Sequence, residues 1–117
     1  MWPAFWTLGV SGEWPSNGEV DVMEFYDGRV LFNIACGTET RYTAKWDSVS
    51  RRLSELGDPD WSSKFHIWAM VWDDVKIELF LDDALMNTSN LADMLNPTGR
   101  ARSARNTTFS SISLSAA

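Results

Sequence analysis

A single cysteine and a single histidine stand among 117 residues. Cys36 alone can close no internal disulfide, so whatever holds the fold together is not a covalent staple. One histidine, one cysteine and scattered acids give none of the ligand spacings of a metal site, and no metal or other cofactor is expected. Bases are scarce as well: ten Lys and Arg against sixteen Asp and Glu leave a net charge of −6. Nucleic acid and anionic membrane surfaces are bound by clustered Lys and Arg, so this balance argues against both as partners. No apolar run is long enough to span a bilayer as a helix. No basic-then-apolar leader is visible, and neither is an internal repeat or a long amphipathic helical pattern.

What is present is aromatic and strand-like. Seven tryptophans are the outlying feature of an otherwise globular composition. Gly, Pro, Asn and Asp punctuate short runs: "WPAFWTLGV", "EVDVMEFY", "RVLFNIAC", "KFHIWAMVW" and "VKIELFLDD". Asp27-Gly28 is a hairpin-type pair, and a second turn is expected at Asp73-Asp74. In the run that follows, Val75, Ile77, Leu79 and Leu81 alternate with Lys76, Glu78 and Phe80, the mark of a half-buried strand. "TSNLADML" predicts one or two helical turns with Ser89 or Asn90 as cap. Strands at this short spacing predict an all-β fold, an antiparallel sandwich or jelly roll.

One strand carries a conflict. In "GEVDVMEF", Glu19 and Asp21 share a face, but Glu24 falls out of step with them, since side chains alternate with a period of two. A β-bulge resolves it: one inserted residue switches the face of everything after it. With the extra residue at Val22-Met23, Glu19, Asp21 and Glu24 project together and the apolar side chains pack beneath. Three crowded acids cannot all ionise freely, so at least one is held protonated. Such a cluster suits a retaining glycosidase, in which one carboxylate attacks the sugar's anomeric carbon and another protonates the leaving oxygen; taken alone, three acids also fit the solvated outer face of an antiparallel sheet. Trp2, Trp6 and Trp14 precede these acids, and flat indole faces suit stacking on sugar rings. Trp2 and Trp6 are equally suited to core packing, whereas Trp14 lies in the polar turn "GEWPSNG" and points to a cleft.

Together "WPAFWTLG", "WPSNGEVDVMEF", "FHIWAMVWDD" and "IELFLDD" resemble glycoside hydrolase family 16, most closely its laminarinase-like endo-β-1,3-glucanases. The resemblance covers residues 1–99, and "EVDVME" is the longer, bulged form of the family's Glu-x-Asp-x-(x)-Glu signature. It implies a concanavalin-like jelly-roll β-sandwich and hydrolysis of β-1,3- or mixed β-1,3/1,4-glucan with retention of configuration. It further implies Glu19 as nucleophile, Asp21 as assisting acid and Glu24 as general acid/base. Trp14 and Trp6 match aromatics lining the donor side of the cleft. The implied partner is a β-glucan polysaccharide or oligosaccharide, and the implied location is extracellular or periplasmic. A structural calcium occurs in the family, but nothing in this sequence supports one. His66 matches a family strand position and reads as a hydrogen-bonded structural residue; Cys36 reads as a small buried hydrophobe. The rival reading is a lectin-like, non-catalytic carbohydrate-binding module on the same sandwich. A lectin would use the tryptophans but has no need of converging acids.

The resemblance also implies a domain of about 200–250 residues, so 1–99 is expected to be part of a catalytic domain lacking N- and C-terminal strands, with little turnover by itself. Residues 100–117 differ in kind, with three bases, none of the sixteen acids and seven Ser or Thr. Family members continue here with an apolar, aromatic strand of the type "PHYFLLNLALGG". Codons exist for "RSARNTTFSSISLSAA" that spell "PFRPQHYFLLNLALGG" when read one base earlier. A single-base slip near Arg100 is therefore expected, leaving an out-of-frame tail without ordered contacts. Translating the neighbouring frame of the source DNA checks this. The expected outcome is an aromatic-apolar strand directly after the Gly99 codon, and its absence makes the tail genuine.

Overall fold

Two-residue turns set the path of the chain. In the computed structural model, which describes residues 2–10, 12–94 and, through their backbone, 112–116, strand β2 (Glu19–Tyr26) turns into β3 (Arg29–Gly37) at Asp27-Gly28. Both turn residues have positive φ, 49° and 71°, the backbone that matches the right-handed twist of paired strands. Asp82 and Asp83 do the same, at 48° and 64°, between β6 (Lys76–Leu81) and β7 (Ala84–Asn90). Between β5 (Trp68–Trp72) and β6, Asp73 Oδ1 accepts the backbone N–H groups of Val75 and Lys76, each at 2.8 Å, so that a side chain closes the turn.

With β1 (Ala4–Gly9), β4 (Ala44–Arg52) and β8 (Ile112–Ala116), these strands form two antiparallel sheets, ordered β4-β3-β2-β1-β8 and β5-β6-β7. This is the all-β sandwich expected from the sequence. Three short 3-10 segments, Leu53–Leu56, Trp61–Ser63 and Leu91–Met94, are the helical turns among the described residues, and no helix there is long and apolar enough to cross a membrane.

The core lies between the sheets. One wall is Val20, Val22, Val30, Phe32, Ile34 and Cys36; the other is Ile77, Leu79 and Leu81, closed at one end by Leu91 and Met94. Each large side chain buried here contributes about 1.5–3 kcal/mol. Cys36 is part of this wall, and burial pushes its thiol up from its ordinary range. A polar bridge also crosses between the sheets. Asn87 of β7 donates to the Phe32 carbonyl at 3.1 Å, and the Ser89 hydroxyl donates to Asp47 of β4. Of the two caps that "TSNLADML" predicts, Ser89 is therefore engaged elsewhere, and Asn90 is the residue directly before the helical turn. Strand β7 runs through Asn90, and the helical turn is the 3-10 segment after it. Burial decides the matter, because Ser89 is enclosed and its hydroxyl needs the Asp47 acceptor. Val75, the first residue of the expected alternation, is exposed in the turn before β6.

The tail departs from expectation in part. Residues 100–111 and Ala117 lie outside the described residues, but Ile112–Ala116 pairs antiparallel with β1, from Gly9↔Ile112 to Phe5↔Ala116. The outer edge of β1 offers a row of backbone N–H and C=O groups, and a pairing made from backbone is indifferent to reading frame.

His66 serves the fold. Its ring stacks on Trp61 with centroids 3.9 Å apart, Nδ1 lies 2.6 Å from Asp82 and Nε2 lies 2.7 Å from the Trp61 carbonyl. Two acceptors favour the doubly protonated ring, and the Trp61 carbonyl first, then Asp82, hold its pKa above the ordinary value.

Gly9 fixes the loop that carries Trp14. Its N–H donates to the Gly18 carbonyl at 3.0 Å, and its own carbonyl accepts from Asn17 Nδ2 at 2.7 Å. A Cβ on Gly9 would lie 1.9 Å from the Asn17 carbonyl oxygen, a backbone atom that cannot rotate aside. Gly9→Ala should destabilise the chain by roughly 1–3 kcal/mol, measured by urea unfolding followed through tryptophan fluorescence. Unchanged stability would show that the loop can open here at no cost.

Candidate active site

Strand β2 carries the bulge that its acids require. Against β3 the register runs Glu19↔Ala35, Val20↔Ile34, Asp21↔Asn33, then jumps to Glu24↔Leu31. Against β1 it runs Trp6↔Asp21, then Phe5↔Met23. One extra residue therefore sits at Val22-Met23 on both sides. Val20 and Val22 enter the core before it, while Met23 and Phe25 line an apolar cavity with Trp61 and Trp68 after it. Glu19, Asp21 and Glu24 are left together on the other face.

There they line a cleft of about 430 Å³, with Trp2, Trp6 and Trp46 as its aromatic walls and Asn33 and Ala4 completing it. That volume is within the range of small-ligand sites. Trp6 is the direct cross-strand neighbour of Asp21. Trp14 stands at the rim, 40% exposed, and its indole N–H donates to Glu19 Oε2 at 2.6 Å. Trp14 pairs with Trp46 of β4 at a centroid separation of 6.5 Å. The adjoining Glu13 accepts both Nε and Nη2 of Arg41 at 2.8 Å, which ties the loop to the β3–β4 connection. Trp2 donates its indole N–H to Glu24 Oε1 at 2.7 Å, and Asn33 Nδ2 donates to Glu24 Oε2 at 2.8 Å.

Asp21 is the buried member, 6% exposed. Burial first, then the charges of Glu19 and Glu24, push its carboxyl up to about 7. Within that balance a hydrogen bond from Asn33 lowers it and one with Glu19 raises it. Asp21 is thus placed to hold or release a proton near neutrality, within hydrogen-bonding reach of a second carboxylate.

The structure brings all five sequence-predicted residues, Glu19, Asp21, Glu24, Trp6 and Trp14, to this one cleft or its rim. It adds three that sequence reasoning missed or left undecided. Trp2 is exposed on the cleft rather than packed in the core. Trp46 and Asn33 arrive from β4 and β3, and no local signal in "RYTAKW" or "RVLFNIAC" aims them at the acids of β2. Only strand register does that.

Comparison with known proteins bears on the family and the fold. Residues 1–58 match the family model described as an XgeA-like, catalytic GH16 domain. A β-glucanase of Rhodothermus marinus is 33% identical over 91 residues, which cover 72% of this chain and 30% of that protein. A β-1,3-glucan-binding protein of Penaeus monodon is 28% identical over 98 residues, 75% of this chain and 27% of that one. The laminarinase catalytic domain from Thermotoga maritima superposes with a TM-score of 0.64 at 31% identity, over 79% of this chain and 38% of that structure. The chain belongs to glycoside hydrolase family 16. It spans about a third of the length of these relatives.

Asp21 gives the site a pH signature. Its carboxyl titrates at 3.8 ordinarily and about 7 in the fold, so between those values the folded chain holds a proton that the unfolded chain releases. That contribution to stability is complete below pH 3.8 and is lost as the pH rises to about 7. Asp21→Asn should abolish this fall and stabilise the chain above pH 7 by roughly 2–4 kcal/mol. Unfolding midpoints from pH 4 to 8, read by tryptophan fluorescence, check it; equal slopes in the two proteins would contradict the assignment.

Proposed function

We propose that this chain carries the acid cluster of a retaining endo-β-glucanase acting on β-1,3-linked or mixed β-1,3/1,4-glucan outside the cytoplasm. The observation that carries the reading is the bulge at Val22-Met23, which turns three acids of one strand onto a single aromatic-walled cleft. Glu19, as carboxylate, attacks the anomeric carbon while Glu24 gives its proton to the departing glycosidic oxygen, forming a glycosyl ester on Glu19. Glu24, now a carboxylate, takes a proton from water, whose oxygen attacks the same carbon and restores Glu19. Asp21 shares its proton with Glu19, disfavouring a fixed charge beside the nucleophile before attack and supporting the released carboxylate afterwards. Trp6, Trp14 and Trp46 give the sugar rings flat apolar faces.

Glucan binding without hydrolysis is the second reading, and the Penaeus monodon relative, a β-1,3-glucan-binding protein by name, speaks for it. A binding module gains nothing from a buried Asp21 between two glutamates, a costly arrangement whose use lies in moving protons.

A 2-deoxy-2-fluoro laminari-oligosaccharide with a dinitrophenol leaving group separates the two. It needs no acid to depart and leaves a slowly hydrolysed ester, so a single turnover is enough to read. Mass spectrometry should find the label on the peptide holding Glu19. Glu19→Gln should abolish labelling and Glu24→Gln should retain it; in a completed domain, Glu24→Gln should lose hydrolysis of laminarin by about 100-fold or more. An unlabelled chain, or a label on another residue, overturns the reading.

A further inference from the structure

Glu24 reaches the cleft on a flexible side chain, and its role depends on which of its two oxygens meets the substrate. Both are occupied, but by unlike donors. Trp2, which donates to Oε1, is 59% exposed on the rim. Asn33, which donates to Oε2, is buried in the middle of β3, directly across from Asp21. A rim indole gives way to an arriving sugar at little cost, whereas a packed carboxamide between two strands does not.

The orientation of that carboxamide follows from its neighbours. Asn33 meets Glu24 and also hydrogen-bonds Asp21. Its Nδ2 carries two hydrogens and can serve both carboxyls, whereas Oδ1 turned towards them would set acceptor against acceptor. Among the described residues, no Lys or Arg lines the cleft. The carboxyls facing one another here, Glu19, Asp21 and Glu24 of β2, are therefore steadied by neutral N–H donors: Asn33 from β3 and the indoles of Trp2 and Trp14.

We propose that Asn33 is a positioning residue of the hydrolytic site: by holding Glu24 Oε2 against β3 and bridging to Asp21, it leaves Oε1 as the oxygen that passes a proton to the leaving group. Once a sugar displaces the Trp2 indole, Oε1 is free to carry the acid's proton towards the substrate, while Oε2 still accepts from Asn33. The inference rests on the glucanase reading for its chemistry, but the grip of Asn33 on the carboxyls can be measured without any activity.

Two variants, Asn33→Ala and Asn33→Leu, remove the donor while leaving different volumes, so that one poorly folding variant does not decide the result. The first measurement is the unfolding midpoint of the 117-residue chain against pH. Loss of a donor that lowers Asp21 should move the point where the midpoint stops falling upwards by about one pH unit. In an Asp21→Asn background, Asn33→Ala should shift nothing. A merely structural Asn33 would lower the midpoint equally at every pH, and that outcome overturns the proposal. The second measurement compares laminarin hydrolysis, which needs the acid, with labelling by the fluorinated dinitrophenyl glycoside, which does not. Asn33→Ala should lower the first by about tenfold or more and the second by less than about threefold; equal losses overturn the proposal. A wild-type chain that is never labelled overturns the glucanase reading instead, and the pH profile still decides whether Asn33 holds the carboxyls.

Discussion

One inserted residue governs this site. Without the bulge at Val22-Met23, alternation would send Glu24 to the core face, where an unpaired carboxyl among Phe32, Ile77 and Leu79 would cost several kcal/mol. With it, Val20, Val22, Met23 and Phe25 face away from the cleft and the acids of β2 all face it. The same irregularity builds the core and the site, so neither can be altered without the other. The hairpin at Asp27-Gly28 then holds β3 in the register that sets Asn33 beside Asp21, and β4 follows with Trp46.

The site is arranged against its own stability. Burying Asp21 between two glutamates raises its carboxyl to about 7, and the fold bears that cost wherever the pH exceeds the ordinary carboxylate range. Neutral donors lessen the cost without removing it. A lysine or arginine in their place would pair with the acids and keep them ionised, which would suit stability and not proton transfer. The indoles of Trp2 and Trp14 add a second property, because the groups that hydrogen-bond Glu24 and Glu19 also present flat rings at the mouth of the cleft. Support for the carboxyls and surface for a sugar thus come from the same side chains.

Elsewhere the fold is held by ordinary means. Apolar walls from two sheets close on each other, and the polar groups that must cross the gap are paired, as Asn87 and Ser89 are with Phe32 and Asp47. His66 and Trp61 form a stacked, doubly hydrogen-bonded corner on the side of β2 away from the acids. The only histidine of the chain is consumed in structure, as a ring with an acceptor at each nitrogen would be.

Strands, the two aspartate-containing turns, the alternation of β6 and the bulge itself were legible in the sequence, because each follows from the order of neighbouring residues. The phase of "EVDVMEF" leaves no other way to keep Val20, Val22 and Phe25 inside and three acids outside. Trp14 was legible for the same reason, as an indole in a polar turn. What the sequence could not decide was everything that depends on pairing at a distance. The choice of Trp2 for the cleft, the arrival of Trp46 and Asn33, the diversion of Ser89 from helix cap to inter-sheet bridge and the docking of Ile112–Ala116 on β1 are all set by register between strands far apart in the chain. A residue's local sequence records which face it can take, but only the folded sheet decides what stands opposite.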